Sequence, residues 1–353
     1  MKTTAEKKDF KFMCRAIKLA AKALNNASPN PQVGCVIVKK GKIVAEGYHK
    51  KYGSVHAEVA ALKKAGKKAK GADLYTTLEP CCHHGKTPPC TKAIIEAGVK
   101  RVFVGLEDPN PKVNRKGVAE LRKAGLEVVI GVAKEEVKAL NLPYLKKVYE
   151  KKPFVILKLA TSINGKISYG DGKRKIISGP ESRAFSYNLR NMVDAILVGA
   201  KTAIKDNPKL WPKPLRGKKP LRVVIDSRLR ISEKANLLGE GAVIFYNKKK
   251  AGPSKIRKLS SKTTLISVRE SKGKLSLNEV LKHLNKLGVN TLLVEGGSEV
   301  FSSFVDAGLY DLVLLFISPK KIAKGKGAFT ELKKKLSVVS VSELGNDFLF
   351  ELI

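Results

Sequence analysis

Three metal-binding side chains open helix-patterned segments of this 353-residue chain, and any fold it adopts must bring them together. They are His56, in His56-Ala57-Glu58; Cys81, after Pro80; and Cys90, after Pro89. One imidazole and two thiolates suit Zn2+. Three protein ligands leave a fourth position for water, the mark of a catalytic site rather than a structural one. Glu58, two residues past the histidine, is poorly placed to ligate the same ion and well placed to move protons for the water. Ser54-Val55 precedes HAEVAALKKA, and Thr87-Pro88-Pro89 precedes CTKAIIEAGV closed by Gly98, both with helical spacing. The positive end of a helix lowers a nearby thiol pKa and favours the thiolate that zinc needs.

Around these residues the pattern alternates. Spacing predicts helices over 9–25, 56–65, 90–97 and 115–124, and strands over 33–38, 42–46, 73–78, 101–105 and 127–130. Such alternation implies an α/β sheet covered on both faces, a three-layer αβα domain. Residues 144–153 read as a charged link ending at Pro153, so the expected domains are 1–148 and 149–353. In the second, strands are expected over 154–160, 195–198, 221–225, 242–246, 291–295 and 312–317, and helices over 180–191, 277–287 and 299–307. Glu295-Gly296-Gly297-Ser298 joins an apolar strand to a helix and lets a phosphate or ribose approach backbone N–H groups. It is not the Gly-x-Gly-x-x-Gly of a Rossmann fold.

Composition narrows the setting. The net charge of +38 is spread over both halves, mostly as scattered Lys, which marks solvated faces and suits phosphorylated substrates without requiring nucleic acid. No run of eighteen apolar residues predicts a membrane helix, and the opening MKTTAEKKDFKFMCRA lacks the apolar core of a signal peptide. The five Cys all lie in the first half. An odd number beside a metal motif argues against a disulfide framework and for a reducing cytoplasm.

The pairing of His-x-Glu with two cysteines is that of the zinc-dependent base and nucleoside deaminases. Several longer segments are more specific. Pro29-Asn30-Pro31-Gln32-Val33-Gly34, Gly47-Tyr48-His49, Thr77-Leu78-Glu79-Pro80-Cys81, HHGKTPPC over 83–90 and Asp108-Pro109-Asn110-Pro111 resemble the deaminase half of the bifunctional deaminase–reductases of riboflavin biosynthesis. LKLATSINGK over 157–166, Arg183 to Arg190, Ile196–Gly199, Lys205-Asp206-Asn207-Pro208-Lys209-Leu210, Val224-Ile225-Asp226-Ser227 and Val294–Ser298 resemble the reductase half. The resemblance covers nearly the whole chain. It implies a cytidine deaminase-like domain followed by a dihydrofolate reductase-like α/β domain.

What the resemblance implies for residues is specific. His56, Cys81 and Cys90 would bind zinc, and Glu58 would shuttle protons while the amino group of a pyrimidinone leaves as ammonia. Asn30, His83, Lys86 and Asn110 would line that pocket; His49 would stand near it or serve the structure. NADPH would be held by Ala160, Ser162, Ile176, Thr202, Asp206, Ser227, Gly297, Ser298, Glu299, Val300, Phe301, Ser302 and Ser303. The second substrate site would use Arg190 toward its phosphate, with Leu210, Lys213 and Glu295. The substrate would be 2,5-diamino-6-(5-phosphoribosylamino)pyrimidin-4-one, deaminated and then reduced to a ribityl chain. Family habit also suggests a homo-oligomer. Four positions depart from the family: Cys82 for Ser, Asn164 for Asp, Ile176 for Trp, and Lys213 near where Arg stands. A second reading, a tRNA or nucleic-acid base deaminase with a degenerate second domain, explains the zinc motif and the charge. It sits badly with 6% aromatic residues and a single Trp, Trp211.

Overall fold

The computed structural model describes residues 4–169, 176–328 and 335–353. The chain divides into two compact units, Met1–Lys151 and Lys152–Ile353.

The first unit runs α1 (Thr4–Ala20), β1 (Gly34–Lys39), β2 (Lys42–Tyr48), α2 (Ala57–Ala65), β3 (Asp73–Leu78), α3 (Cys90–Glu96), β4 (Arg101–Leu106), α4 (Lys116–Lys123), β5 (Glu127–Ile130) and α5 (Lys134–Glu150). Its sheet has the order β2-β1-β3-β4-β5, with β1 antiparallel to both neighbours and the rest parallel. Strand alternation sorts the two faces. Cys35, Ile37, Leu74, Val102 and Val104 pack against Ala57, Ala61 and Leu62 of α2, Ile94 of α3 and Leu121 of α4. Val36, Val38, Tyr75 and Phe103 pack against Phe12, Met13 and Ala16 of α1 and Val137 of α5. Three helices therefore cover one face and two the other. The expected link over 144–153 is corrected: α5 continues through it to Glu150 and ends at Lys151, with φ of 56°. Tyr144 and Leu145 are buried beside half-buried Lys146 and Lys147, a stripe that the charges mask in sequence.

The second unit runs β6 (Phe154–Ser162), α6 (Pro180–Arg190), β7 (Ala195–Gly199), α7 (Ala200–Asp206), β8 (Leu221–Ile225), β9 (Ala242–Tyr246), α8 (Pro253–Ser260), β10 (Thr264–Ser267), a small hairpin of β11 (Glu270–Ser271) and β12 (Lys274–Leu275), α9 (Leu277–Lys286), β13 (Thr291–Glu295), α10 (Ser298–Asp306), β14 (Leu312–Ser318), β15 (Val338–Leu344) and β16 (Asp347–Leu352). Its large sheet has the order β10-β9-β8-β7-β13-β6-β14-β16-β15; all neighbours from β10 to β14 are parallel, and β16 and β15 close it antiparallel. Helices α9 and α10 cover one face through Leu281, Leu284, Phe301 and Phe304. Leu189 of α6, Ala203 of α7 and Leu259 of α8 cover the other. The late strand β13 inserts between β7 and β6, which brings its end, Glu295, to the middle of the sheet.

Candidate active sites

His56 is the N-cap of α2, in extended backbone, and Glu58 lies in the first turn, 3% exposed. Cys90 opens α3, and Cys81 follows β3 in a loop tied down by the Thr91 amide, which donates to Cys81 O at 3.2 Å. His56 Nδ1 lies 3.3 Å from Cys90 Sγ and 3.4 Å from Cys81 Sγ, and the two sulfurs are 3.5 Å apart. A tetrahedral zinc, with bonds of about 2.3 Å to sulfur and about 2.1 Å to nitrogen, sets its ligand atoms roughly 3.5–3.8 Å apart. The donor set and its spacing therefore fit zinc. They also form the metal-capable cluster found among the described residues. His56 Nε2 faces Thr87 Oγ1 at 3.3 Å; an N–H there leaves the Nδ1 lone pair for the metal.

The electrostatics agree with that use. The neighbouring Cys90 thiol and then His56 hold Cys81 down to about 4, against burial. Cys90 itself is pushed up, by Cys81 and then by burial. Burial raises the Glu58 carboxyl above its usual range, with Thr76 Oγ1 at 3.3 Å and Cys90 Sγ at 3.5 Å as its neighbours. Behind the loop, Glu79 accepts from the amides of Asp108 (3.2 Å), Arg115 (3.0 Å) and Val118 (3.1 Å), locking the Pro80-Cys81 segment to α4.

Of the expected pocket residues, His49 touches this centre, and the others lie on loops of the same unit. Asn30 Nδ2 donates to His49 Nε2 at 3.2 Å, and the His49 ring meets His56 edge-on with centroids 5.2 Å apart. His83 Nδ1 is buried and has no partner among the described residues, as for a group that awaits a ligand. The Lys86 ammonium lies 4.1 Å from the Tyr52 ring centre. Asn110 sits in a turn where its amide donates to Asp108 Oδ1 at 2.9 Å. Cys82 points away: its thiol donates to Lys112 O at 3.8 Å.

In the second unit Arg190, at the end of α6, holds Glu295 bidentately, Nε to Oε1 at 2.8 Å and Nη2 to Oε2 at 2.6 Å. Nη1 donates to Trp211 O at 3.2 Å. Arg190 was expected to aim its fork at a phosphate, and here that fork is turned onto Glu295. Burial pushes Glu295 up, but Arg190 and then Lys158 more than offset this and hold the carboxylate ionised. Lys158, paired in register with Glu295 across β6 and β13, is pulled below its usual value by desolvation. Sequence reasoning missed Lys158 as a site residue. The available signal was a lysine inside an otherwise apolar strand, which usually means a solvated face.

Gly296 and Gly297 both have positive φ, 88° and 64°. A Cβ on Gly296 would come 3.0 Å from Thr202 Cγ2, and one on Gly297 3.2 Å from Thr202 Oγ1. Thr202 thus packs against both glycines, and with no side chains of their own they leave backbone N–H groups at the start of α10 for a phosphate to approach. Of the other expected cofactor residues, Ser298 and Ser302 are buried, Glu299 pairs with Lys201, Val300 packs on Gly199, and Ser303 Oγ donates to Glu299 O at 2.7 Å. Phe301 and Leu210 have their side chains in the core, 2% and 3% exposed. Ser162 Oγ lies 2.8 Å from Asn164 Oδ1, Ala160 is half-buried beside it, and Asp206 ends α7. Ser227 follows β8; Ile176 and Lys213 are exposed. Asn164 donates through Nδ2 to Ile322 O at 2.9 Å and accepts from Ile322 N at 3.2 Å. The first of these bonds an Asp could not make.

A helix-flanked sheet with a His/Cys/Cys centre and a buried glutamate, joined to a parallel sheet with a glycine cradle beside an ionised Glu–Arg pair, defines a zinc deaminase fused to a nucleotide-dependent reductase. Family models agree: the cytidine and deoxycytidylate deaminase zinc-binding region matches residues 6–106, and the RibD C-terminal domain matches 153–350. The chain belongs to the RibD family of riboflavin-biosynthesis proteins. It is 42% identical to riboflavin biosynthesis protein RibD of Aquifex aeolicus over 320 residues, 90% of this chain and 88% of that one. Identity to the Escherichia coli protein is 37% over 322 residues, 88% of this chain and 87% of the other. Acinetobacter baumannii RibD superposes with a TM-score of 0.90 at 33% identity, over 99% of both chains. A Thermotoga maritima diaminohydroxyphosphoribosylaminopyrimidine deaminase/5-amino-6-(5-phosphoribosylamino)uracil reductase does so at 0.87 and 38%, again over 99% of both.

Proposed function

We propose that the first unit deaminates 2,5-diamino-6-(5-phosphoribosylamino)pyrimidin-4-one and that the second reduces the ribosyl chain of the product to ribityl with NADPH. The observation that carries the first half is the His56–Cys81–Cys90 triangle with Glu58 buried against it. Zinc supplies a Lewis acid that makes water a nucleophile near neutral pH. Glu58 would take one proton from that water and pass it to the ring nitrogen, then move the proton of the newly added hydroxyl to the amine, which leaves as ammonia while the carbonyl forms. A buried carboxyl with a raised pKa suits both tasks. Asn30, His83, Lys86 and Asn110 orient the pyrimidine and its phosphate. Cys82 is not a ligand.

In the second unit NADPH supplies the hydride, and the protein orients it. Gly296 and Gly297 admit the nucleotide backbone. Glu295, fixed by Arg190 and faced by Lys158, holds the sugar where hydride arrives. The nucleic-acid deaminase reading is not favoured, because it leaves a whole matched reductase domain unexplained. None of the five cysteines is in a disulfide, which supports a reducing, cytoplasmic setting. No helix among the described residues is long and apolar enough to cross a membrane.

The test is sequential turnover of the diamino-pyrimidinone phosphate by zinc-loaded protein. Ammonia release followed by loss of NADPH absorbance is expected. No ammonia from folded, zinc-loaded protein would overturn the substrate assignment.

A further inference from the structure

We propose that Thr76 is a positioning residue for the deamination: its hydroxyl pins one oxygen of the Glu58 carboxyl and so aims the other at the ligand triangle. The inference rests on the reading of Glu58 as the proton carrier of this site.

Thr76 lies in β3, with Cys35 of β1 and Val104 of β4 as its partners in register. Alternation along β3 sets it in one row with Leu74, on the face that packs against α2, α3 and α4. Its neighbours in that row belong to the apolar core, and Thr76 itself is fully buried. Packing alone would be met there by valine, which has nearly the same shape. A hydroxyl in such a place costs free energy unless it is bonded. Thr76 Oγ1 has two acceptors within reach, Glu58 Oε1 at 3.3 Å and Leu78 O at 3.1 Å. It carries one proton and serves one of them at a time. Leu78 O is a neutral carbonyl. Glu58 is an anion when it takes a proton from water, and a bond to an ionised acceptor is roughly twice as strong.

Glu58 has few other partners. Its Oε2 lies 3.5 Å from Cys90 Sγ, and its own amide, in the first turn of α2, also bonds the carboxyl. As a zinc ligand Cys90 is a thiolate with no proton to give. Thr76 is then the one side chain among the described residues that donates to Glu58.

The two contacts divide the carboxyl between them. Oε1 faces the sheet and Oε2 faces the ligand triangle. The last torsion of a glutamate is broad, so an unpinned carboxyl turns easily. A carrier held in one orientation meets the reacting atoms without first being ordered, and a misplacement of about 1 Å can cost about 100-fold in rate.

The test compares Thr76→Val and Thr76→Ser in zinc-loaded protein by the kinetics of ammonia release, metal analysis and thermal unfolding. Valine keeps the shape and removes the hydroxyl; serine keeps the hydroxyl and removes a methyl. A positioning hydroxyl lowers kcat of Thr76→Val roughly tenfold or more and leaves KM within about twofold. Thr76→Ser should regain most of the wild-type kcat. Both variants should keep their zinc, and Thr76→Val should unfold as the wild type does. A packing role reverses the order, with valine matching wild type and serine the poorer. That order, or a kcat lowered equally in both, overturns the inference alone. So does loss of zinc from Thr76→Val, which would assign the residue to the build of the metal site. Wild-type protein that holds zinc and releases no ammonia overturns the substrate reading and the inference with it.

Discussion

At Glu58 a carboxyl group is buried and pushed above its usual range by burial, a costly arrangement that makes sense where a proton has to be taken up and given back. Glu58→Gln keeps the shape and removes the proton carrier. Ammonia release should fall by about 100-fold to 10,000-fold, while metal analysis still finds one zinc per chain. His56→Ala removes a ligand instead, and the same analysis should then find the zinc lost. Cys82→Ser should retain it, since that thiol faces Lys112 O and not the triangle. Asp108 offers a different residue-scale test. Burial raises it to about 6, with Tyr144 Oη donating to it at 2.8 Å. A folded value above the unfolded one means that the folded state binds the proton more tightly. Stability from this group is therefore full below the unfolded value of 3.8 and is lost as pH rises through about 6. Asp108→Asn, which keeps the acceptor for Tyr144, should flatten that part of the profile in denaturant unfolding run against pH.

The site is assembled by elements, and one close joint is between β2 and α2. A Cβ on Gly47 would run into Ala57 O and reach within 2.6 Å of Ala61 N. Gly47→Ala should therefore push α2, with His56 and Glu58 at its start, off the sheet. We expect a loss of about 1–3 kcal/mol in thermal unfolding together with weaker zinc retention. Regular elements with clean periodicity were legible in sequence: β3, β5, β8, β9 and β13 have the ends that their hydrophobic runs predict. Others were not. The stripe of α5 is interrupted by Asn141 and Pro143 and crowded by charge, so it reads as a link. Strand β15 is exposed along nearly its whole length and shows no burial pattern to find. The short α7 and α8 carry few apolar residues of their own and are decided by the sheet they cover.

On the scale of the molecule, two units with separate cores carry separate chemistry. A chelator that strips zinc should abolish ammonia release and leave NADPH oxidation with the deaminated substrate intact; coupled assays of the two steps on one sample will check this. The sequence by itself pointed to His56, Cys81 and Cys90, because His and Cys beside helix starts have few other uses; the expected helix start at Cys81 is corrected, since that residue lies in the loop after β3. It determined the family as well, through HHGKTPPC and its companion segments. Only the tertiary structure decided what common residues do. Lys158 becomes a site cation because β13 inserts beside β6 and brings Glu295 against it. Arg190 meets that glutamate from α6, 105 residues away in the chain. Asp226 is hidden and Arg228 exposed by one strand end. Lysine, arginine and glutamate occur throughout this chain. Partners brought in from distant strands, and the water they exclude, fix the charge and the role of each.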